Sequence, residues 1–312
     1  MSLAAVSEPP KAVASSRFFR VAYLPTYATL LFLLVLVWAG APGHRLDFGR
    51  AWRTAAGLQV GEVVLIALAV TVAAVLLQPL QQPLVRVLEG DWPRALGGGA
   101  ARWWQLRRKH ALERAAELPQ PPAPVSEERL RAAGVAGTRL RQRFPLPEHL
   151  VRATALGNVL AAMQDTAGRG YGLDAVVAWP RLYVVLGDAV KTVVDDRRDT
   201  MDAAARLAAV TGVATVATAG LLWGAAGRWW PLLLIPAAVC ALSYLGAVRA
   251  AVAYGEAVHL AFDMHRFALY RAANVALPAT REDEMDVARQ LCDLWRQGLP
   301  PAFGYTSSPE AT

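Results

Sequence analysis

Four apolar blocks, each about as long as a membrane-crossing helix, constrain this 312-residue chain more than any other feature. Residues 21–41 read VAYLPTYATLLFLLVLVWAGA without a single charge. Residues 58–80, 207–226 and 229–248 form three further blocks, the last two separated only by Gly227 and Arg228. A helix crosses the hydrocarbon core with about 20 residues, and every backbone polar group there must be satisfied within the segment. The blocks therefore predict an all-α polytopic membrane protein built on two transmembrane helical hairpins. Charge agrees: 18% of residues are charged, against about a quarter in an ordinary soluble domain. A soluble enzyme, a disordered chain and a disulfide scaffold are excluded.

Orientation follows from the arginines. Lys11, Arg17 and Arg20 lie in the tail 1–20, and Arg86, Arg94, Arg102, Arg107, Arg108 and Lys109 follow the second block. The connection between the last two blocks holds Arg228 alone; the first connection is mixed, with Arg45, Arg50 and Arg53 against Asp47 and Glu62. The positive-inside rule then places both termini and the long segment 81–206 in the cytoplasm of a cell with this protein in its inner membrane. Trp38, Trp223, Trp229 and Trp230 fall at the outer interface, and Tyr23, Tyr27 and Tyr244 towards the inner one. The first block is too long an apolar run, on too long a charged tail, to read as a cleaved signal peptide.

No ionisable residue lies deep inside a block, so a proton-coupled pump is disfavoured. In the third block Gly220 and Gly224 form a GxxxG, a helix-packing signal. Thr211, Thr215 and Thr218 share a face there. They read as hydroxyls bonded to their own helix, with a pore lining as the alternative.

The cytoplasmic part divides at 119–124, where Pro119-Gln-Pro-Pro-Ala-Pro124 is a spacer. Before it, residues 101–118 predict a basic helix. Arg102, Trp103, Trp104, Arg107 and Arg108 suit a membrane surface as well as a domain face. After it, Ser126 starts a helix, residues 150–168 form another, and Asp174 caps a short one containing Pro180. A helix from about residue 188 enters the third block without a breaker. The fourth block likewise continues past Arg249, so residues 249–312 are a helical extension and tail. Thr280 caps a last helix with acids in its first turn.

Chemistry is scarce. Glu256, His259 and Asp263 stand at the spacing of a di-iron helix, but such sites draw a second Glu-x-x-His, which this chain lacks. They remain the weak metal candidates, with helix-face salt bridges as the alternative. No GxSxG, HExxH or phosphate loop occurs, so no catalytic residue and no cofactor is expected. Cys240 and Cys292 stand in unlike contexts and read as free thiols. Residues 81–203 carry 18 basic and 14 acidic side chains, too balanced a field for nucleic acid.

Three stretches resemble a group of uncharacterised actinobacterial four-span membrane proteins. They are LEGDWP at 88–93; LGNVL at 156–160 with YGLDAVVAWPRL at 171–182; and YGE at 254–256 with AFDMHR at 261–266. What the resemblance implies is architecture. Function then reads as a membrane-anchored interaction or scaffold module. Its expected surface joins Asp174, Trp179 and Arg181 to Asp263, His265 and Arg266; its partners are the lipid bilayer and a protein, a second copy included. The alternative is a membrane enzyme or a small-solute channel or transporter component.

Overall fold

The structure is a computed structural model, and it describes residues 24–43, 45–90, 92, 97–119, 125–224 and 227–305. The basic tail 1–20, Tyr23, residues 120–124 of the proline spacer and the last residues lie outside this set, and with them the expectations placed there. Ten α-helices are described: α1 Leu24–Trp38, α2 Phe48–Ala56, α3 Val60–Leu88, α4 Gly98–Ala116, α5 Glu127–Arg143, α6 Ala155–Thr166, α7 Ala175–Val184, α8 Asp188–Leu222, α9 Leu234–Ala272 and α10 Arg281–Gln297. Among the described residues there is no strand, only an isolated bridge between Val275 and Tyr305. The chain is all-helical. Among the described residues three helices are long and apolar enough to cross a membrane: Val60–Leu77, Asp188–Leu222 and Trp229–Ala272. The apolar helix Pro25–Trp38 is shorter.

Two compact units divide the chain, one of residues 1–88 and 201–247, the other of 89–200 and 248–312. The divisions fall inside α8 and α9, so each long helix contributes to both.

In the first unit, Leu36, Ala39, Ala41, Leu46, Ala51 and Leu222 form a buried cluster. Trp38, Phe48 and Trp229 close it, with the Phe48 and Trp229 rings 5.3 Å apart. α2 is an element that the apolar pattern did not announce. Asp47 starts it by accepting from the Arg50 N–H at 3.2 Å, which satisfies one orphan donor of the first turn. Asp47 also pairs with Arg53 at 3.4 Å, so charges counted for orientation are spent on a cap. The Tyr27 hydroxyl bonds Thr71, whose own proton goes to the Ala67 carbonyl at 2.7 Å. α3 runs on through Pro79 and Pro83 to Leu88, beyond the block that predicted it. Each proline removes one helical hydrogen bond without ending the helix.

Two local expectations are corrected. The second hairpin turns over more than two residues: α8 stops at Leu222 and a 3₁₀ segment Gly227–Leu233 containing Pro231 precedes α9. The GxxxG therefore straddles a helix end. A Cβ on Gly220 would meet open space, while one on Gly224 would press the Pro42 carbonyl at 3.0 Å. Gly224 has already left the helix, so the two glycines do not share one helical face. The threonines are bonded along their own helix, Thr211 to the Leu207 carbonyl at 2.7 Å and Thr215 to Thr211 at 2.8 Å.

The second unit buries an ordinary core, including Leu156, Val159, Leu182, Val258, Phe262, Leu269 and Leu291. α4 and α5 pair as a helical hairpin, α6 lies against α5 and α7, and α10 covers α7. The segment 151–154 is not helical as predicted. Residues 148–150 make a 3₁₀ turn, and α6 starts after Thr154, whose hydroxyl accepts from the Gly157 N–H at 3.1 Å. Buried Asn158 holds this turn through both of its amide atoms. It accepts from the Arg152 N–H at 2.6 Å and donates to the Arg152 carbonyl at 3.2 Å.

Candidate functional site

The motif residues meet at joints between helices. Glu89 and Gly90 of the first stretch seat on the start of α6: a Cβ on Gly157 would lie 1.8 Å from the Glu89 oxygen, so only glycine admits that carbonyl. Gly172 has φ +78 and its missing side chain leaves room for the Met285 backbone of α10. Backbone closeness, rather than chemistry, demands both glycines.

An open cleft of about 530 Å³ lies between α5, α6 and α9 in the second unit. Glu256, His259 and Asp263 line one wall, at the helical spacing that puts them on neighbouring turns. Thr138, Arg141 and Gln142 come from α5, and Val159, Met163 and Thr166 from α6. Each of the three α9 groups already has its own partner. Gln142 donates to Glu256 at 2.7 Å. The His259 Nδ1–H donates to the Gly255 carbonyl at 2.7 Å, and its Nε2 faces the Thr166 hydroxyl at 3.0 Å. Asp263 accepts from the Tyr171 hydroxyl at 2.8 Å. That bond holds the Tyr171 proton and raises its pKa above the ordinary phenol value. The metal expectation is corrected accordingly: among the described residues no three His, Cys, Asp or Glu side chains come together to hold an ion. Three partners on three elements draw the groups apart.

The expected interaction residues come together, but largely as internal fastenings. Asp174 caps α7 at the Val176 N–H, 2.8 Å away, and pairs with Arg296 of α10. Trp179 packs on Phe262 and Tyr183. Arg181 lies over the Trp295 ring at 4.7 Å. Arg266 lies 4.1 Å from the Tyr171 ring and 4.3 Å from the Phe267 ring, and its Nε donates to Glu284 at 2.8 Å. His265 sits beside Gly187, with a buried Nδ1 that has no hydrogen-bond partner. Asp263 and Arg181 stay exposed, and beside them α9 turns apolar side chains outward. Leu260, Met264 and Phe267 are all exposed and, at i, i+4 and i+7, form one stripe on α9.

A second open cleft of about 470 Å³ is lined by Arg152, Gln164, Asp165 and Arg169 near the start of α7. Asp165 is a residue that motif reasoning missed. Its carboxylate is 4% exposed, pairs with Arg169 and accepts from the Leu146 N–H at 2.8 Å. It stands alone in sequence, with no other acid within eight positions to mark a cluster. Cys292 is buried under α7, and burial pushes its thiol pKa up.

On α4 the expected membrane-facing set divides. Arg102 is corrected: its guanidinium reaches inward to the carbonyls of Val151 at 2.9 Å and Glu148 at 2.8 Å. Trp103, Trp104, Arg107 and Arg108 are exposed, with Arg107 4.2 Å over the Trp103 ring and Arg108 4.8 Å over Trp104. Buried Lys109 donates to the Leu146 carbonyl at 2.6 Å and neighbours Glu113 at 3.6 Å. His110 bonds Glu148 at 2.8 Å, which holds that carboxyl below its ordinary pKa. No family model, curated protein or solved structure matches this chain.

Proposed function

We propose that the chain is an integral membrane protein, with four spans and both termini in the cytoplasm, whose second unit is a docking module for the helix of a partner protein. The observation that carries the docking is the exposed stripe of Leu260, Met264 and Phe267, on a helix whose neighbouring polar groups are committed to internal bonds. Exposed apolar side chains at helical spacing fit a partner helix laid in a groove. The stripe ends at exposed Arg271, which would set the direction of the incoming helix by pairing with an acid.

Anchoring is supported by α3. Val63, Val64, Leu65, Leu68, Val72, Val75 and Leu76 are all exposed on one helix. Each would gain about 1.5–3 kcal/mol by leaving water, a demand that a bilayer meets. Leu31, Val35 and Val37 of α1, also exposed, extend the same reading to the first span.

The test is purification of the tagged full chain in mild detergent, with partner stoichiometry read by mass spectrometry. A partner bound one to one by the native chain, and lost from Met264→Glu with the fold retained, supports docking. A partner that survives Met264→Glu and Phe267→Glu overturns it. The open 530 Å³ cleft favours a second reading, a small-molecule site, since its volume lies in the usual ligand range of about 300–1,000 Å³. A tightly held small molecule in the same sample would establish that reading.

A further inference from the structure

The two sides of α4 are inverted relative to an ordinary surface helix. Its inward side carries Gln105 and Lys109, both buried, with Lys109 only 2% exposed. Its outward side carries Trp103 and Trp104, 55% and 54% exposed. Buried polar groups and exposed large aromatics are the informative departures from normal burial. Stepping about 100° per residue, Trp103, Trp104, Arg107, Arg108 and Arg114 fall on one continuous side, opposite Gln105 and Lys109. Folding of the unit therefore left the tryptophans out while spending a lysine inside.

We propose that this face of α4 lies on the headgroup layer of a bilayer containing anionic lipid; this rests on the reading that the chain is membrane-anchored. Charge complementarity names the occupant. α4 holds Arg102, Arg107, Arg108, Lys109 and Arg114 against Glu113 alone. Arg102 and Lys109 are engaged inside, so Arg107, Arg108 and Arg114 are the cations presented outward. The guanidinium of Arg107, like that of Arg108, stacks on an indole, which leaves its in-plane N–H groups for phosphate oxygens while the ring offers an apolar body to the acyl boundary. Chain connectivity keeps the helix close. Residues 89–97 separate α3 from α4, a reach of at most about 35 Å. A protein or nucleic-acid partner would use the arginines but has no need of two adjacent indoles at the level of the headgroups.

The experiment places the full chain in nanodiscs of phosphatidylcholine alone or of phosphatidylcholine with phosphatidylglycerol, using lipids brominated near the top of the acyl chain as quenchers. The chain has ten tryptophans, so the signal of interest is the native emission minus that of W103F/W104F. The expected result is strong quenching of this difference in the anionic discs, weak quenching in the neutral ones, and loss of the anionic effect in R107Q/R108Q. Added salt should weaken it as well. All four positions are exposed, so these variants leave the core untouched, and the hydrogen-exchange pattern of α5 and α6 reports the fold. Equal quenching in both lipids, or none in either, overturns the proposal while the anchored reading stands. A chain not retained in nanodiscs overturns both.

Discussion

α3 and α10 show the same physics run in two solvents. α10 is patterned for water: Ala288, Leu291 and Cys292 are buried, and Asp286, Arg289 and Arg296 are exposed. α3 offers apolar side chains outward on nearly every turn and buries little beyond Val70 and Ala74. A helix that is apolar all round has no preferred inward side, so the surrounding medium, rather than a partner helix, must satisfy it. In the first unit the apolar stretches are therefore long and the packing details few. In the second, stability depends on particular joints, where one side chain or one absent Cβ decides whether two helices meet.

That contrast can be broken most sharply at Arg266. Arg266→Ala leaves Glu284, largely buried, without its ion-pair partner and empties the slot between Tyr171 and Phe267. The expected loss is about 3–5 kcal/mol, the range for removing one partner of a buried pair. Hydrogen exchange in detergent should show α7 and α10 deprotected and residues 60–77 unchanged; deprotection of both units alike would mean that the division is not real.

Next come paired arginine substitutions at two exposed valine or leucine sites. Leu68→Arg in α3 should cost about 3 kcal/mol of membrane insertion, read by glycosylation mapping of the flanking segments. Val193→Arg, at an exposed site in the second unit, should stay within about 0.5 kcal/mol. Equal tolerance at both sites would place α3 in water.

Gly157→Ala tests a joint without changing polarity. Its Cβ would collide with the Glu89 backbone, and chemical denaturation should show a loss of about 3 kcal/mol. A neutral result would mean that LEGDWP does not seat on α6.

The smallest effect is on pH. Tyr171 has a folded pKa raised by its bond to Asp263. Its contribution is thus fully present below the ordinary tyrosine pKa and is lost as pH rises through the folded value. For so exposed a pair, under about 1 kcal/mol is expected, absent in Tyr171→Phe. Glu148 runs the opposite way. Its lowered pKa means that the His110 contact helps above the ordinary glutamate value and fades as pH falls through the folded one.

The legibility of the chain follows the same division. The starts of α5, α7 and α10 could be read from Ser126, Asp174 and Thr280, because a cap is a local hydrogen bond within three residues. α2 could not, since its polar outward side masks the single buried Ala51. Asp174, Asp263 and Arg266 were picked out as a surface, yet they fasten helices. Polarity at a position does not say whether its partner is water, another chain or a residue about a hundred positions away, as Asp174 with Arg296 shows.

The sequence by itself determined the helical class and the long apolar segments, because those depend on composition and on periodicity over neighbouring turns. Only the tertiary structure decided that Arg102 and Lys109 turn inward while Trp103 and Trp104 stay out, and that Gly157 admits a carbonyl from Glu89. Those outcomes depend on which backbone from a distant part of the chain arrives beside each residue, and no local pattern carries that information.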